Sequence, residues 1–337
     1  MLAALLLSLV ACGGDVVDGT TDAATTEEPS TEAAATTEAA TTEASSTEPE
    51  KFVYKHVVIV GIDGMGAYHK GADTPNMDAI FADYALTDVA QTYNPVASGP
   101  SWMSMITGVD PREMKTTTNV GYTATINSKY EAALEKYATL FRLVHDKYND
   151  ASIASITGFA DMQNVMWPDE EYLYKEMNYT EWWSVEENTE KAIDYIEGLD
   201  TSKPSFTFIY YTEPDSTGHK SGWGSAEFNA MLTKCDAELG KIFAAVEAKG
   251  MLEDTLFIMA TDHGGKGKDH GMVLEPEALD ITLGFRGKTV TNAKDFDMIF
   301  RDIAAIVVEG MGLERDPQWS KLREPAPVVP AELFTKE

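Results

Sequence analysis

The 337-residue chain holds 55 acidic and 26 basic residues, for a formal charge of −29. Residues 13–50 carry 10 of the acids and no Lys or Arg, yet the remainder is still acidic; this excludes a phosphate-tracking nucleic-acid binder, which needs a basic footprint. From residue 51 onward apolar and charged residues interleave over a length that supports one sizeable α/β core.

Residues 1–12, MLAALLLSLVAC, form an apolar run too short to span a bilayer. The run ends in Leu9-Val10-Ala11-Cys12, which resembles the lipobox of bacterial lipoproteins, although no Lys or Arg precedes it. That resemblance implies cleavage before Cys12 and a diacylglycerol on its thiol. The protein would then be extracytoplasmic and lipid-anchored to the bacterial cell membrane. Residues 13–50 are a Thr/Glu/Ala-rich, acidic, low-complexity stretch that cannot bury enough surface to offset its chain entropy. The expectation is a disordered tether, followed by one catalytic domain over 51–337.

Within that domain the runs at 56–63, 205–211 and 255–262 are continuously apolar and read as strands buried on both faces. Residues 151–156 and 280–285 are weaker strand candidates. Helical patterns cover 130–148, 185–199 and 226–248. In the last of these Phe228, Met231, Leu232, Cys235, Leu239, Ile242, Phe243 and Val246 recur at three-to-four spacing, and Gly250 is the stop signal. Cys235 reads as a small buried apolar residue. Strands alternating with helices predict a mostly parallel central sheet with helices on both faces. In such sheets ligands bind at the carboxyl ends of strands.

Three strand ends carry chemistry. The first delivers Asp63 before Gly64-Met65-Gly66. The second delivers Pro214-Asp215-Ser216-Thr217-Gly218-His219. The third delivers Asp262-His263-Gly264-Gly265, with His270-Gly271 just beyond. Three of the six histidines therefore lie in two short motifs beside aspartates, a donor set suited to Zn²⁺, with Mn²⁺ or Ca²⁺ as alternatives. His56, His69 and His145 match no motif and default to core or surface.

Together these segments resemble the alkaline phosphatase superfamily, and within it the type I phosphodiesterase/nucleotide pyrophosphatase branch. The segment 94–108, NPVASGPSWMSMITG, is similar to the family stretch that places a Thr, Ser or Cys before x-Pro with Thr-Gly nine residues later; Ser98 holds that position. The resemblance implies that Ser98 is the nucleophile of a metal-dependent phosphoester hydrolase and forms a phosphoserine. Asn119, 21 residues on, would be a donor to the phosphoryl oxygen. The resemblance also implies two divalent metal ions, Zn²⁺ by preference. One would be held by Asp63, Ser98, Asp262 and His263, the other by Asp215, His219 and His270. A small-molecule phosphate ester would be the substrate.

Three other readings compete. A sulfatase would need Arg two residues after Pro100 for formylglycine formation, where this chain has Trp102. An envelope phospho-group transferase usually brings several membrane helices. A binding protein with a decayed site is disfavoured because all seven expected metal positions hold competent residues. Trp102, Met103, Trp167, Trp182 and Trp183 are candidates for an apolar slot beside the site, against an equally weighted reading as core and surface aromatics. Residues 161–187 are expected to cap it. The lack of an Arg-rich anion clamp favours diesters over monoesters.

Overall fold

A computed structural model of the chain describes residues 53–93, 96–118, 124–158, 171, 173–177, 183–271 and 275–335. Cys12, Asn119, Trp167, Trp182 and the whole of 1–50 lie outside these residues. The body is one compact unit.

Its centre is a seven-stranded sheet in the order β2-β7-β6-β1-β5-β3-β4. The strands are β1 (His56–Ile62), β2 (Ala85–Gln91), β3 (Ser152–Thr157), β4 (Leu173–Met177), β5 (Ser205–Tyr211), β6 (Thr255–Ala260) and β7 (Asp280–Arg286). All neighbours pair in parallel except at β7, which runs antiparallel to both β6 and β2. The sheet is therefore mixed and mostly parallel, as the alternation of elements predicts.

The continuous apolar runs have a simple cause. Successive residues of a strand face opposite sides, and here both sides are dry. Val57 and Ile59 of β1 join Phe206, Phe208, Leu256 and Ile258 in one buried cluster. Val58, Val60 and Ile62 join Ile209, Tyr211, Phe257 and Met259 in a second cluster across the sheet. Each such side chain contributes on the order of 1.5–3 kcal/mol on full burial, before chain entropy is charged against it.

Helices cover both faces. In chain order they are α1 (Pro75–Phe81), α2 (Ser98–Thr107), α3 (Pro111–Met114), α4 (Ala124–Lys136), α5 (Leu140–Lys147), α6 (Val185–Gly198), α7 (Glu213–Ser221), α8 (Ala226–Ala248), α9 (Pro276–Leu279) and α10 (Asp302–Gly310). Residues of α2, α5 and α10 fill the first cluster, and residues of α1, α6 and α8 fill the second. The end of α8 is a Schellman turn. Gly250 sits at φ +73°, its N–H donates to Glu247 O at 2.9 Å, and the N–H of Met251 donates to Val246 O at 3.2 Å.

One predicted helix, 130–148, is two. Between α4 and α5 the N–H of Ala138 donates to Asp316 Oδ2 at 2.8 Å, and the Thr139 hydroxyl accepts from Arg142 N–H at 3.2 Å to cap α5. A contact from the far C-terminal segment therefore competes with helix continuation. The register then fixes what the site can be. Ile62 pairs with Tyr211 and Gly61 with Ala260. The three strands consequently end side by side, and Asp63, the start of α7 and Asp262 emerge at one edge.

Candidate active site

Asp63 follows β1 and is fully buried. Its Oδ2 accepts a hydrogen bond from the Tyr210 phenol on β5, while Oδ1 lies 3.4 Å from His263 Nε2. Ser98 is the first residue of α2; the cap position belongs to Ala97, in extended conformation, so the Ser98 hydroxyl is free of capping duty. That hydroxyl is buried, 3.2 Å from His263 Nε2 and 3.5 Å from Asp63 Oδ1. Asp262 Oδ1 accepts from Gly64 N–H at 3.1 Å, and its Oδ2 is 3.3 Å from His263 Nε2. Gly64 makes this approach possible. It sits at φ +72°, and a Cβ there would lie 2.9 Å from the Asp215 backbone.

A second group abuts the first. Asp215 stands in the first turn of α7 and His219 one turn later on the same face. The Nε2 atoms of His219 and His270 are each 3.5 Å from Asp215 Oδ1 and 3.1 Å from each other. The ring of His270 stacks on His263 with centroids 3.9 Å apart. Two donor sets thus have ligand atoms close enough to share an ion: Asp215, His219 and His270, and Asp63, Asp215 and His263.

All three imidazoles are fixed in the same way. Nδ1 of His219 faces Lys268 O at 3.0 Å, that of His263 faces Gly264 O at 2.9 Å, and that of His270 faces Val96 O at 3.3 Å. A carbonyl only accepts, so each Nδ1 carries the proton and each Nε2 presents a lone pair. The lone pairs of His219 and His270 therefore point at one another. Asp215 Oδ1 and Asp262 Oδ2 are buried with no hydrogen-bond partner.

The electrostatics point the same way. Burial, then the charges of Asp262 and Asp215, push the Asp63 carboxyl far above the usual range. Burial raises Asp262 to about 7 and also raises Asp215. Burial, then the neighbouring imidazoles, lowers His270 to about 2, and burial lowers His263. Crowded carboxylates resist ionising and crowded imidazoles resist protonation. Cations placed among these atoms would satisfy both groups, and the residues present fit divalent metal ions.

Asp63, Ser98, Asp215, His219, Asp262, His263 and His270 thus converge, although they come from three strand ends and a helix start. The unmatched histidines lie elsewhere. His56 is buried against Ser205 Oγ at 2.9 Å, and His69 against Asp88 at 2.8 Å. The slot reading of Trp102 and Met103 is corrected. Both are wholly buried, and the Trp102 indole packs edge-on against Phe208, Tyr210 and Phe300. Gly61 makes room for it: a Cβ there would lie 2.6 Å from the ring. Trp183 is half-buried, and most of 161–187 falls outside the described residues. Tyr210 and Trp223 are the residues that sequence reasoning missed, because an aromatic in or beside an apolar run reads as core.

The fold is of one class with that of alkaline phosphatase superfamily proteins. Mouse ectonucleotide pyrophosphatase/phosphodiesterase 5, in an inactive variant bound to AMP, superposes with a TM-score of 0.64 at 14% identity over 77% of this chain and 96% of that one. A Vibrio parahaemolyticus protein of the superfamily gives 0.56 at 17%, over 78% and 68%. A Bacteroides fragilis protein assigned as a sulfatase gives 0.59 at 16%, over 79% and 75%. At such identities these likenesses speak to fold alone.

Within that class, the model of the type I phosphodiesterase/nucleotide pyrophosphatase family matches residues 57–292, and the chain belongs to this family. Human bis(5'-adenosyl)-triphosphatase ENPP4 is 25% identical over 226 residues, covering 62% of this chain and 47% of that protein. Mouse ectonucleotide pyrophosphatase/phosphodiesterase family member 1 is 25% identical over 227 residues, covering 64% and 24%. The chain thus spans about half or less of the length of these curated relatives.

Proposed function

We propose that the chain hydrolyses phosphoric esters, diesters ahead of monoesters, through a phosphoserine formed on Ser98 beside two divalent metal ions. Asp63, Ser98, Asp262 and His263 would hold one ion, and Asp215, His219 and His270 the other. One observation carries the reading. Three imidazoles pinned through Nδ1 turn their Nε2 atoms toward aspartate oxygens, and the Nε2 of one, His263, also meets the buried Ser98 hydroxyl. Zn²⁺ suits this mixture of nitrogen and oxygen donors.

When bound, such ions lower the pKa of a serine hydroxyl and neutralise charge on the leaving oxygen. The protein's own residues do the rest. Ser98 Oγ gives up its proton to solvent and forms a bond to phosphorus as the bond to the ester's leaving oxygen breaks, and that oxygen departs as an alcohol protonated by water. Water then cleaves the Oγ–P bond, its oxygen going to phosphorus and a proton to Oγ, which regenerates the hydroxyl. Ser98 opens a ten-residue helix, so the positive end of the helix dipole lies at the reacting atom. Asn119 is the proposed further donor to the phosphoryl oxygen. The names of the relatives, a dinucleotide triphosphatase and nucleotide pyrophosphatases, make nucleotide diesters and pyrophosphates the first substrates to try.

Parallel assays on a bis-aryl phosphate, an aryl phosphate and an aryl sulfate test this. Diester turnover should exceed the other two, disappear with chelator, return with divalent metal, and fall by at least about 10³-fold in Ser98→Ala. Mass spectrometry should trap phosphate on Ser98. Dominant sulfate-ester turnover would overturn the assignment.

The proposed setting is extracytoplasmic, with residues 1–12 as signal peptide, a lipid on Cys12 and residues 13–50 as tether. Among the described residues no helix is long and apolar enough to cross a membrane. Loss of membrane fractionation in Cys12→Ala is the expected result.

A further inference from the structure

We infer that Trp223 is a positioning residue that sets the metal affinity of the Asp215, His219 and His270 group; this rests on the two-metal reading above. Trp223 lies between α7 and α8 with only 7% of its surface exposed. Its indole N–H donates to Gly64 O at 2.7 Å, and its backbone N–H donates to Gly267 O at 2.8 Å. The ring meets the imidazole of His219 edge-on, with centroids 5.1 Å apart, and that of His270 likewise at 5.7 Å. One side chain therefore touches the turn after Asp63, the helix carrying Asp215 and His219, and the loop carrying His263 and His270.

Two glycines show how closely the ring is fitted. A Cβ at Gly218 would lie 2.5 Å from the indole and one at Gly265 2.4 Å. Both positions belong to ligand motifs, so the spacing within Pro214–His219 and Asp262–His270 is shaped to this ring. The need is greatest at His219, whose side chain is 44% exposed. A half-exposed imidazole held by one backbone carbonyl has rotamers to lose on binding a cation. The indole edge removes those alternatives beforehand. These contacts are with ligand imidazoles and the backbone of ligand motifs, so metal affinity rather than the chemical step is where the residue acts.

The test uses the purified full chain with Zn²⁺ or Co²⁺ alone, read by chelator competition. Trp223→Leu should weaken one of the two bound cations about ten- to hundred-fold and leave the other within a few-fold. Trp223→Phe, which keeps an aromatic edge but loses the N–H, should fall between, at roughly threefold or more. At saturating metal, kcat should recover in both variants, which separates affinity from chemistry. Co²⁺ should quench wild-type tryptophan fluorescence, and the quench should shrink in Trp223→Phe. Should Trp223→Leu fail to fold, Trp223→Phe decides alone. Folded variants that bind both cations with wild-type affinity would overturn the inference while leaving the two-metal reading intact. A wild-type protein that binds no cation would overturn both.

Discussion

Asp63, buried just past β1, and Asp88, half-buried on β2, are both aspartates beside a histidine, and their surroundings treat them in opposite ways. Asp88 on β2 accepts from His69 and Lys70 at 2.8 Å each and from the Thr282 hydroxyl at 2.6 Å. Burial works against its charge, yet those bonds hold its carboxyl well below the usual range. Asp63 shares its space with two more carboxylates and with imidazoles whose protons are turned away, and its carboxyl is pushed up. The first cluster is complete as folded. The second leaves buried carboxylate oxygens without partners, which marks it as a candidate site rather than a structural pair.

Four measurements break or sharpen that contrast. The largest stability effect is expected at the complete cluster: Asp88→Asn should cost about 3 kcal/mol in chemical denaturation, because it leaves the buried His69 without its carboxylate. A buried histidine with no carboxylate partner comes next. Burial, then Lys55, lowers His56 to about 4. The unfolded chain binds the extra proton between roughly pH 6.5 and 4, so stability falls as pH drops through that window, by up to about 3 kcal/mol. His56→Asn should flatten that part of the pH profile; an unchanged slope would refute the assignment.

At the incomplete cluster the readout moves from stability to metal. Tyr210→Phe removes the donor that fixes Asp63 Oδ2, and metal affinity should weaken about tenfold or more, with the fold intact. The smallest effect has the most telling sign. Asp262→Asn removes one of the crowded carboxylates, so the metal-free protein should gain about 1 kcal/mol while losing metal binding. If Asp262→Asn destabilises the metal-free protein as Asp88→Asn does, the contrast between the clusters is false.

Much of this is legible in the sequence. β1, β5 and β6 announce themselves because both their faces are buried, which leaves unbroken apolar runs ending in polar ligands. The α8 pattern is equally plain, since a long helix buries one stripe. What escaped detection depends on distant partners. β2 has an alternating, half-polar pattern and lies at the sheet edge. The reversed direction of β7 leaves no trace in composition. The break before Thr139 needs Asp316. Trp102 offered a slot-like aromatic, and only Gly61 reveals that it is core. Trp223 sits next to a motif but belongs to none, and its role emerges only when three loops meet around it.

The strand register has a consequence for how the molecule matures. The hydrogen bond between Gly64 and Asp262 spans 198 residues of chain. The oxygen and nitrogen donors therefore gather only once β1, β5 and β6 have paired. On the two-metal proposal, neither donor set is whole before those strands pair, so metal would bind the finished sheet rather than template it. It would then arrive as a late clasp, favouring the finished sheet over the open chain by an amount that grows with the logarithm of free metal concentration.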